Sequence, residues 1–207
     1  MYIPKIYKNE KEEDVKSFLI ENSFGILVTT QKNELLASHI PLELEQNQND
    51  EWVLQGHIAL GNPQKKHFEE GTEILAIFNG PHTYISSSWY DHVNVPTWNY
   101  VAVHVYGSIR TLEGDALWEH LKRLVNKYEA SSSNPVSMET MPEDFLKKEI
   151  RGIVGFEIKI ERIEAVKKMS QNRNEKDYKN IIGQLEKRGD AQSKAVSEEM
   201  KKIRKSL

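Results

Sequence analysis

A chain of 207 residues is long enough for one sizeable core with a small appendage and too short for two full domains. Its composition, 38% hydrophobic and 29% charged, is that of an ordinary globular protein, and the complete lack of cysteine excludes disulfide frameworks and thiolate metal sites. The net charge of −3 is unevenly spread: residues 1–164 carry 16 basic against 25 acidic side chains, a net −9, whereas residues 165–207 carry 12 against 6, a net +6.

The start of the chain, 1–14, is studded with Lys and Glu and lacks the apolar run of a signal peptide. No stretch approaches the roughly 18 apolar residues of a membrane span. A cytoplasmic location with no membrane partner is expected. Asn9, followed three positions on by Glu12, reads as the cap of a first helix with Val15, Phe18 and Leu19 as its buried stripe. Residues 24–30 and 35–44 read as the two strands of a hairpin, and 52–59 as a third strand ended by Gly61, Asn62 and Pro63. A short helix over 64–70 is expected next, and its free N–H groups would make its start a ready anion site. Residues 72–78 and 83–89 read as strands joined by a turn at Asn79, Gly80 and Pro81, followed by an irregular stretch through His92 and Pro96.

Residues 101–112 alternate, with Val101, Val103, Val105 and Ile109 on one face. A helix of about four turns from Asp115 follows, on the spacing of Leu117, Leu121, Leu124, Val125 and Tyr128. After a loop through Ser131, Ser132 and Ser133 come a short helix, 142–150, and a last strand, 153–163. Tyr178, Ile181, Ile182 and Leu185 mark one amphipathic helix and Val196, Met200 and Ile203 another, divided by Gly189 and Asp190. About seven strands in mostly hairpin order, with helices between some of them, predict an antiparallel barrel or related α+β fold rather than a parallel sheet.

Common enzyme signatures are missing: the sequence holds no Walker-type phosphate loop, dinucleotide fingerprint, nucleophile elbow or HExxH pair. The seven histidines lack metal-ligand spacing, so no metal is expected. Between His57 and Gly107, aromatic side chains are interleaved with small hydroxyls. That mixture suits a flat heteroaromatic ligand bearing an anion, and equally suits core or subunit packing. The basic tail reads either as a surface for nucleic acid or an acidic partner, or as a solvated helix face.

Six ordered motifs carry a family resemblance: Met1-Tyr-Ile-Pro4, Gly56-His57 through Asn62-Pro63, Tyr84-Ile-Ser86 through Ser88-Trp-Tyr90, Val95-Pro-Thr-Trp-Asn-Tyr100, His104 with Gly107, and Ser170-Gln-Asn172. From Met1 to about Gly189 the chain resembles the PaiB family. The resemblance implies a mainly β, α+β fold: an FMN-binding split β-barrel related to pyridoxamine phosphate oxidase and flavin reductases, with peripheral helices and a helical C-terminal appendage. It places the barrel domain at 1–164 and a basic helical extension at 165–207. It also implies a homodimer with FMN at its interface, acting as a negative transcriptional regulator of sporulation and protease synthesis; a flavin-dependent oxidoreductase or flavin reductase is the alternative.

On the same resemblance, Asn62, Gln64 and Lys65 lie near the FMN phosphate, and Ser86, Ser88, Trp89, Trp98 and Asn99 around the isoalloxazine. Ser38, His39 and His57 meet the ribityl chain or ring edge. No catalytic residue is assigned. DNA contact would fall to the tail, through Lys167, Lys168, Arg173, Lys187, Arg188, Lys194, Lys201, Lys202, Arg204 and Lys205. Two positions depart from the family pattern. Ala59-Leu-Gly-Asn62 stands where relatives often read Ala-Arg-Ala-Asn, one cation fewer, and Ser87 replaces a common proline and its fixed φ.

Overall fold

A computed structural model describes residues 1–9 and 11–205, with the side chain of Lys205 outside the description. The elements are α1 (Glu12–Glu21), β1 (Phe24–Gln31), β2 (Glu34–Pro41), β3 (Glu43–Gln46), β4 (Trp52–Ala59), β5 (Thr72–Ile85), β6 (Thr97–Leu112), α2 (Gly114–Glu129), α3 (Glu143–Ile150), β7 (Ile153–Lys168), α4 (Glu175–Arg188) and α5 (Ala191–Lys205). The seven strands form one antiparallel sheet in the order β2-β1-β5-β6-β7-β4-β3, as the mainly β, α+β expectation requires.

Four expectations are corrected in detail. The first helix begins at Glu12 rather than Asn9, whose N–H pairs with the Ala165 carbonyl of β7. The strand read over 35–44 breaks after Pro41: the Leu42 N–H bonds the Ser23 carbonyl, and Glu43–Gln46 then pairs with β4 at the opposite edge of the sheet. The 64–70 helix is only a short 3-10 turn, Pro63–His67. Finally, Asn79-Gly80-Pro81 does not turn, and β5 runs straight through it. Gly80 serves there as a point of close approach, since a Cβ would lie 2.6 Å from the Phe18 ring and 3.1 Å from Val101 Cβ. β6 and β7 also extend beyond their predicted ends, to Thr97 and Lys168.

The chain divides into two compact units, and β5, β6 and β7 each contribute residues to both. One comprises Leu19–Phe78 and Val105–Ile163. In it β1 pairs with β2 and β5, and β4 with β3 and β7. Leu27, Leu42, Leu54, Phe78, Ile109, Phe156 and Ile158 are almost fully buried. Gly107 lets β6 approach β7, where a Cβ would stand 2.0 Å from the Lys159 carbonyl oxygen.

A polar layer links β3, β4, β6 and β7 to α2. Glu157, buried, accepts from Arg110 Nε at 2.9 Å and Nη2 at 2.8 Å and from Gln55 Nε2 at 2.9 Å. Arg123 of α2 donates to Gln55 Oε1 at 2.8 Å. Buried Glu43 takes both Lys127 and, at 2.8 Å, the Tyr128 hydroxyl. His120 of α2 stands edge-on to His57, ring centroids 5.8 Å apart.

That histidine pair is expected to make the unit acid-sensitive. Burial, then the neighbouring His57 and Arg123, hold His120 down to about 4, against only partial opposition from Glu43. Burial also lowers His57. Neutral His120 therefore favours the folded state above the unfolded value near 6.5, and the benefit is lost as pH falls from there toward 4, on the order of 3 kcal/mol in all. Thermal melts between pH 7 and 4 should show this slope in the wild type and a shallower one in His120→Leu. Equal slopes would assign the acid limb to other groups.

The other unit comprises Met1–Phe18, Asn79–His104 and the chain from Glu164 onward. Its core is Ile85, Tyr90 and Val101 together with Met169, Tyr178, Ile181, Leu185, Val196 and Met200, with Phe18, Trp89, Ile182 and Ile203 packed at its margin. Asn174 caps α4 by accepting the Asp177 N–H at 2.8 Å, and Gly189, at φ 76°, ends it. The Tyr178 hydroxyl donates to the Met200 carbonyl at 2.7 Å, joining α4 to α5.

Candidate functional site

The expected ligand residues fall into two groups, one in each unit. In the first unit, Ser38 lies directly across from Leu27 in the β1–β2 pairing, facing inward, whereas its neighbour His39 is exposed on the opposite face beside Phe24. The short turn after β4 closes over this inner face. Asn62 holds its start, accepting the Gln64 N–H at 2.9 Å and donating through Nδ2 to Ser38 Oγ at 2.9 Å.

Gln64 is buried, and its Nε2 lies within reach of Leu27 O at 3.0 Å, Thr29 Oγ1 at 3.1 Å and Leu36 O at 3.4 Å. Its Oε1 is buried without a partner among the described residues. Thr29 Oγ1 in turn meets Nδ1 of buried His67 at 2.9 Å. Ser38, Asn62 and Gln64 are thus brought together. Lys65 and Lys66 project outward from the turn, both exposed.

His57 stands apart from this group, since its ring faces His120 of α2. A 3-10 turn of five residues has no substantial macrodipole, and the N–H of Gln64 is already taken by Asn62. Any attraction for an anion here rests on the two lysines.

In the second unit, Ser86 ends β5 and caps the following turn Ser87–Trp89, with Ser86 Oγ 2.8 Å from Ser88 Oγ and 3.2 Å from the Ser88 N–H. Trp98 and Asn99 are successive residues of β6 and point to opposite faces. Trp98 is 47% exposed, its ring stacked on His82 at 6.0 Å and edge-on to Tyr84 at 6.2 Å. Asn99 is fully buried, accepting from Ser170 Oγ at 3.0 Å and donating toward Met200 Sδ at 3.6 Å. The surface aromatics and the serine turn can take the face and edge of a flat ring, while the Asn99 amide is used in holding α5 to β6.

Several residues of these groups escaped the reading of the sequence. Thr29 and His67 form the floor under Gln64, and nothing in their local spacing marks them. Arg188, expected only as a DNA-contacting cation of the tail, donates to Thr83 Oγ1 and Tyr84 O at 3.1 Å each and lies 4.7 Å over the Trp89 ring. Asn174 and Asp177, three apart at a helix start, gave the one usable signal, a capping pair. Asp91, His92 and Asp177 bring their ligand atoms within 4.8 Å of one another, and Lys176 sits 2.9 Å from Asp91.

Residues 1–162 match the family described as "Putative FMN-binding domain". Among curated proteins, "Protease synthase and sporulation protein PAI 2" of Bacillus subtilis is 46% identical over 208 residues, spanning all of both chains. An uncharacterized protein of Emericella nidulans, AN0679, is 28% identical over 95% of each chain. Among solved structures, the flavocytochrome Anf3 from Azotobacter vinelandii has a TM-score of 0.60 at 14% identity, covering 86% of this chain and 78% of its own. The FAD and heme binding protein from Mycobacterium smegmatis has a TM-score of 0.58 at 12% identity, covering 78% and 73%. These likenesses establish the split-barrel fold.

FMN is the cofactor of the family, and the residues present suit it. Exposed Lys65 and Lys66 offer charge to a phosphate, and the unsatisfied Gln64 Oε1 can accept from a donor such as a hydroxyl. Trp98, Tyr84 and His82 offer aromatic surface. With its full-length relationship to PAI 2 and its match to the FMN-binding domain, the chain belongs to the PaiB family of FMN-binding split-barrel proteins.

Proposed function

We propose that this protein is a cytoplasmic, homodimeric, FMN-binding negative regulator of transcription. The observation that carries this reading is the 46% identity to the Bacillus protein named for protease synthesis and sporulation, sustained over the entire length of both chains. Lys65, with Asn62 and Gln64 behind it, meets the phosphate. In the other unit, taken by itself, Ser86, Ser88, Trp89 and Trp98 are the candidates for contact with a flavin ring, and bound FMN supplies redox-sensitive chemistry.

Two features support pairing with a second copy. The outer face of β1 and β2 leaves Phe24 65% and Leu35 70% exposed, and β2 is an edge strand. Apolar area of this kind is what an isologous dimer covers.

The tail supports nucleic-acid contact only through some of its cations. Lys167 and Lys202 pair with Glu199, and Lys201 with Glu186 and Glu198. Lys168 donates to Thr97, Arg204 to the Arg173 carbonyl, and Arg173 lies over Tyr90. Lys187 and Lys194 are exposed and lie outside these pairings, while the side chain of Lys205 falls outside the described residues. DNA contact is therefore assigned first to Lys187 and Lys194.

Binding of promoter DNA measured across a salt series tests this. The log–log slope of affinity against salt should become shallower by about 0.9 for each phosphate no longer neutralised in Lys187→Glu and Lys194→Glu. An unchanged slope would move the DNA-binding surface elsewhere. No binding at low salt, together with FMN-dependent oxidation of a nicotinamide cofactor, would replace the regulator with an oxidoreductase.

A further inference from the structure

The Ser86–Tyr90 turn is weakly held by its own backbone. Its two internal bonds are long, Trp89 N–H to Ser86 O at 3.3 Å and Tyr90 N–H to Ser87 O at 3.4 Å. Its last two residues, Trp89 and Tyr90, and its neighbours Tyr84 and Asp91 are instead gripped by α4 or by the segment leading into it. Asn180 Nδ2 donates to the Trp89 carbonyl at 2.5 Å. The Arg188 guanidinium covers the Trp89 ring and bonds the Tyr84 carbonyl just before the turn. Arg173 lies 4.8 Å over the Tyr90 ring. Past the turn, Asp177 Oδ1 accepts the Asp91 N–H at 3.2 Å, and Lys176 pairs with the Asp91 carboxylate.

The Ser86 hydroxyl ties the start of the turn to Ser88, but a segment of this length whose two backbone bonds are both long takes the shape of its far end from its surroundings. We propose that α4 sets the flavin-binding shape of the Ser86–Tyr90 turn, with Arg188 and Asn180 as positioning residues, so that FMN occupancy and docking of α4 are linked. This rests on the reading of Ser86, Ser88 and Trp89 as flavin contacts. Linkage is reciprocal: if docked α4 favours FMN, bound FMN stabilises docked α4 by the same factor. The exposed Lys187 lies one residue from Arg188, on the helix whose docking is coupled.

The experiment is amide hydrogen exchange on the full-length protein with and without saturating FMN, combined with FMN titrations of the wild type, Arg188→Met, Arg188→Lys and Asn180→Ala. FMN should slow exchange in residues 86–91 and in α4 together. Arg188→Met should weaken FMN about tenfold and uncouple the two segments, and Arg188→Lys, which keeps the charge and a donor, should recover part of both. Should Arg188→Met fail to fold, Asn180→Ala, which removes one exposed bond, should still weaken FMN about threefold.

Unchanged FMN affinity in the folded variants overturns the proposal, as does FMN protection of 86–91 that leaves α4 unaffected in the wild type. A wild type that binds no FMN at all overturns instead the flavin reading on which the proposal stands. The wild-type titration alone separates that case.

Discussion

Removal of residues 164–207 is expected to destroy the fold of the unit that contains Trp89 and Trp98, rather than to trim a tail. The deleted segment supplies Met169, Tyr178, Ile181, Leu185, Val196 and Met200 to its core, every one of them at most 1% exposed. Truncating a single buried side chain of this size costs about 2–5 kcal/mol, and the whole stability of a domain is about 5–15 kcal/mol. Removing six exceeds any reserve. Ile85, Tyr90 and Val101 would be left facing water. The truncated chain should be insoluble or show loss of cooperative unfolding and rapid proteolysis within 79–104, and Ile181→Ala alone should lower stability by about 2–4 kcal/mol. A soluble, cooperatively melting chain ending at residue 163 would show that the C-terminal helices are dispensable to this core. Charge substitutions on the tail are for this reason the sound test of nucleic-acid binding.

The second large effect is expected beneath α2. Glu157 is 3% exposed, and its charge is compensated chiefly by Arg110, with Gln55 as the further donor. Removing one partner of a buried pair leaves an uncompensated charge and costs about 3–5 kcal/mol. The Arg110 side chain is 55% exposed, which admits water to the vacated place and puts the expected loss for Arg110→Met at the low end, about 3 kcal/mol. Adding Glu157→Gln to that variant should restore much of the stability, because the orphaned charge is gone. Denaturant unfolding of the two single variants and the double variant measures this. Additive losses would mean that the pair acts through packing rather than charge.

The elements that could be read from the sequence are those whose patterning is local. The alternation of Val101, Val103 and Val105 and the spacing of Tyr178, Ile181 and Leu185 each correspond to an element facing its core. Errors arose where a distant partner overrides local chemistry. Asn79-Gly80-Pro81 has the composition of a turn, yet Phe18 and Val101 close on Gly80 and the strand continues. Pro41 ends one strand so that the chain can cross to the other edge of the sheet, a step no periodicity reveals.

At the candidate site, Ser38, Asn62 and Gln64 form one hydrogen-bonded group, although the resemblance implies Ser38 at the ribityl chain or ring edge and Asn62 and Gln64 at the phosphate. The support beneath it, Thr29 and His67, comes from another strand and from the far end of the turn, and neither carries a mark of its own. Arg188 reads in the sequence only as one of the tail's cations, whereas its side chain reaches three acceptors on residues 83, 84 and 193. The excess of positive charge after residue 164 was plain in the sequence. Its pairing with Glu186, Glu198 and Glu199 depends on how α4 and α5 pack.

Titration of the purified full-length protein with FMN, with riboflavin run in parallel and both followed by quenching of flavin fluorescence, bears most directly on the flavin site. Saturable binding of one FMN per chain is expected, with riboflavin markedly weaker because it lacks the phosphate that Lys65 would meet, and with the difference reduced in Lys65→Ala. Absence of saturable FMN binding, or riboflavin held as tightly as FMN, would contradict the account.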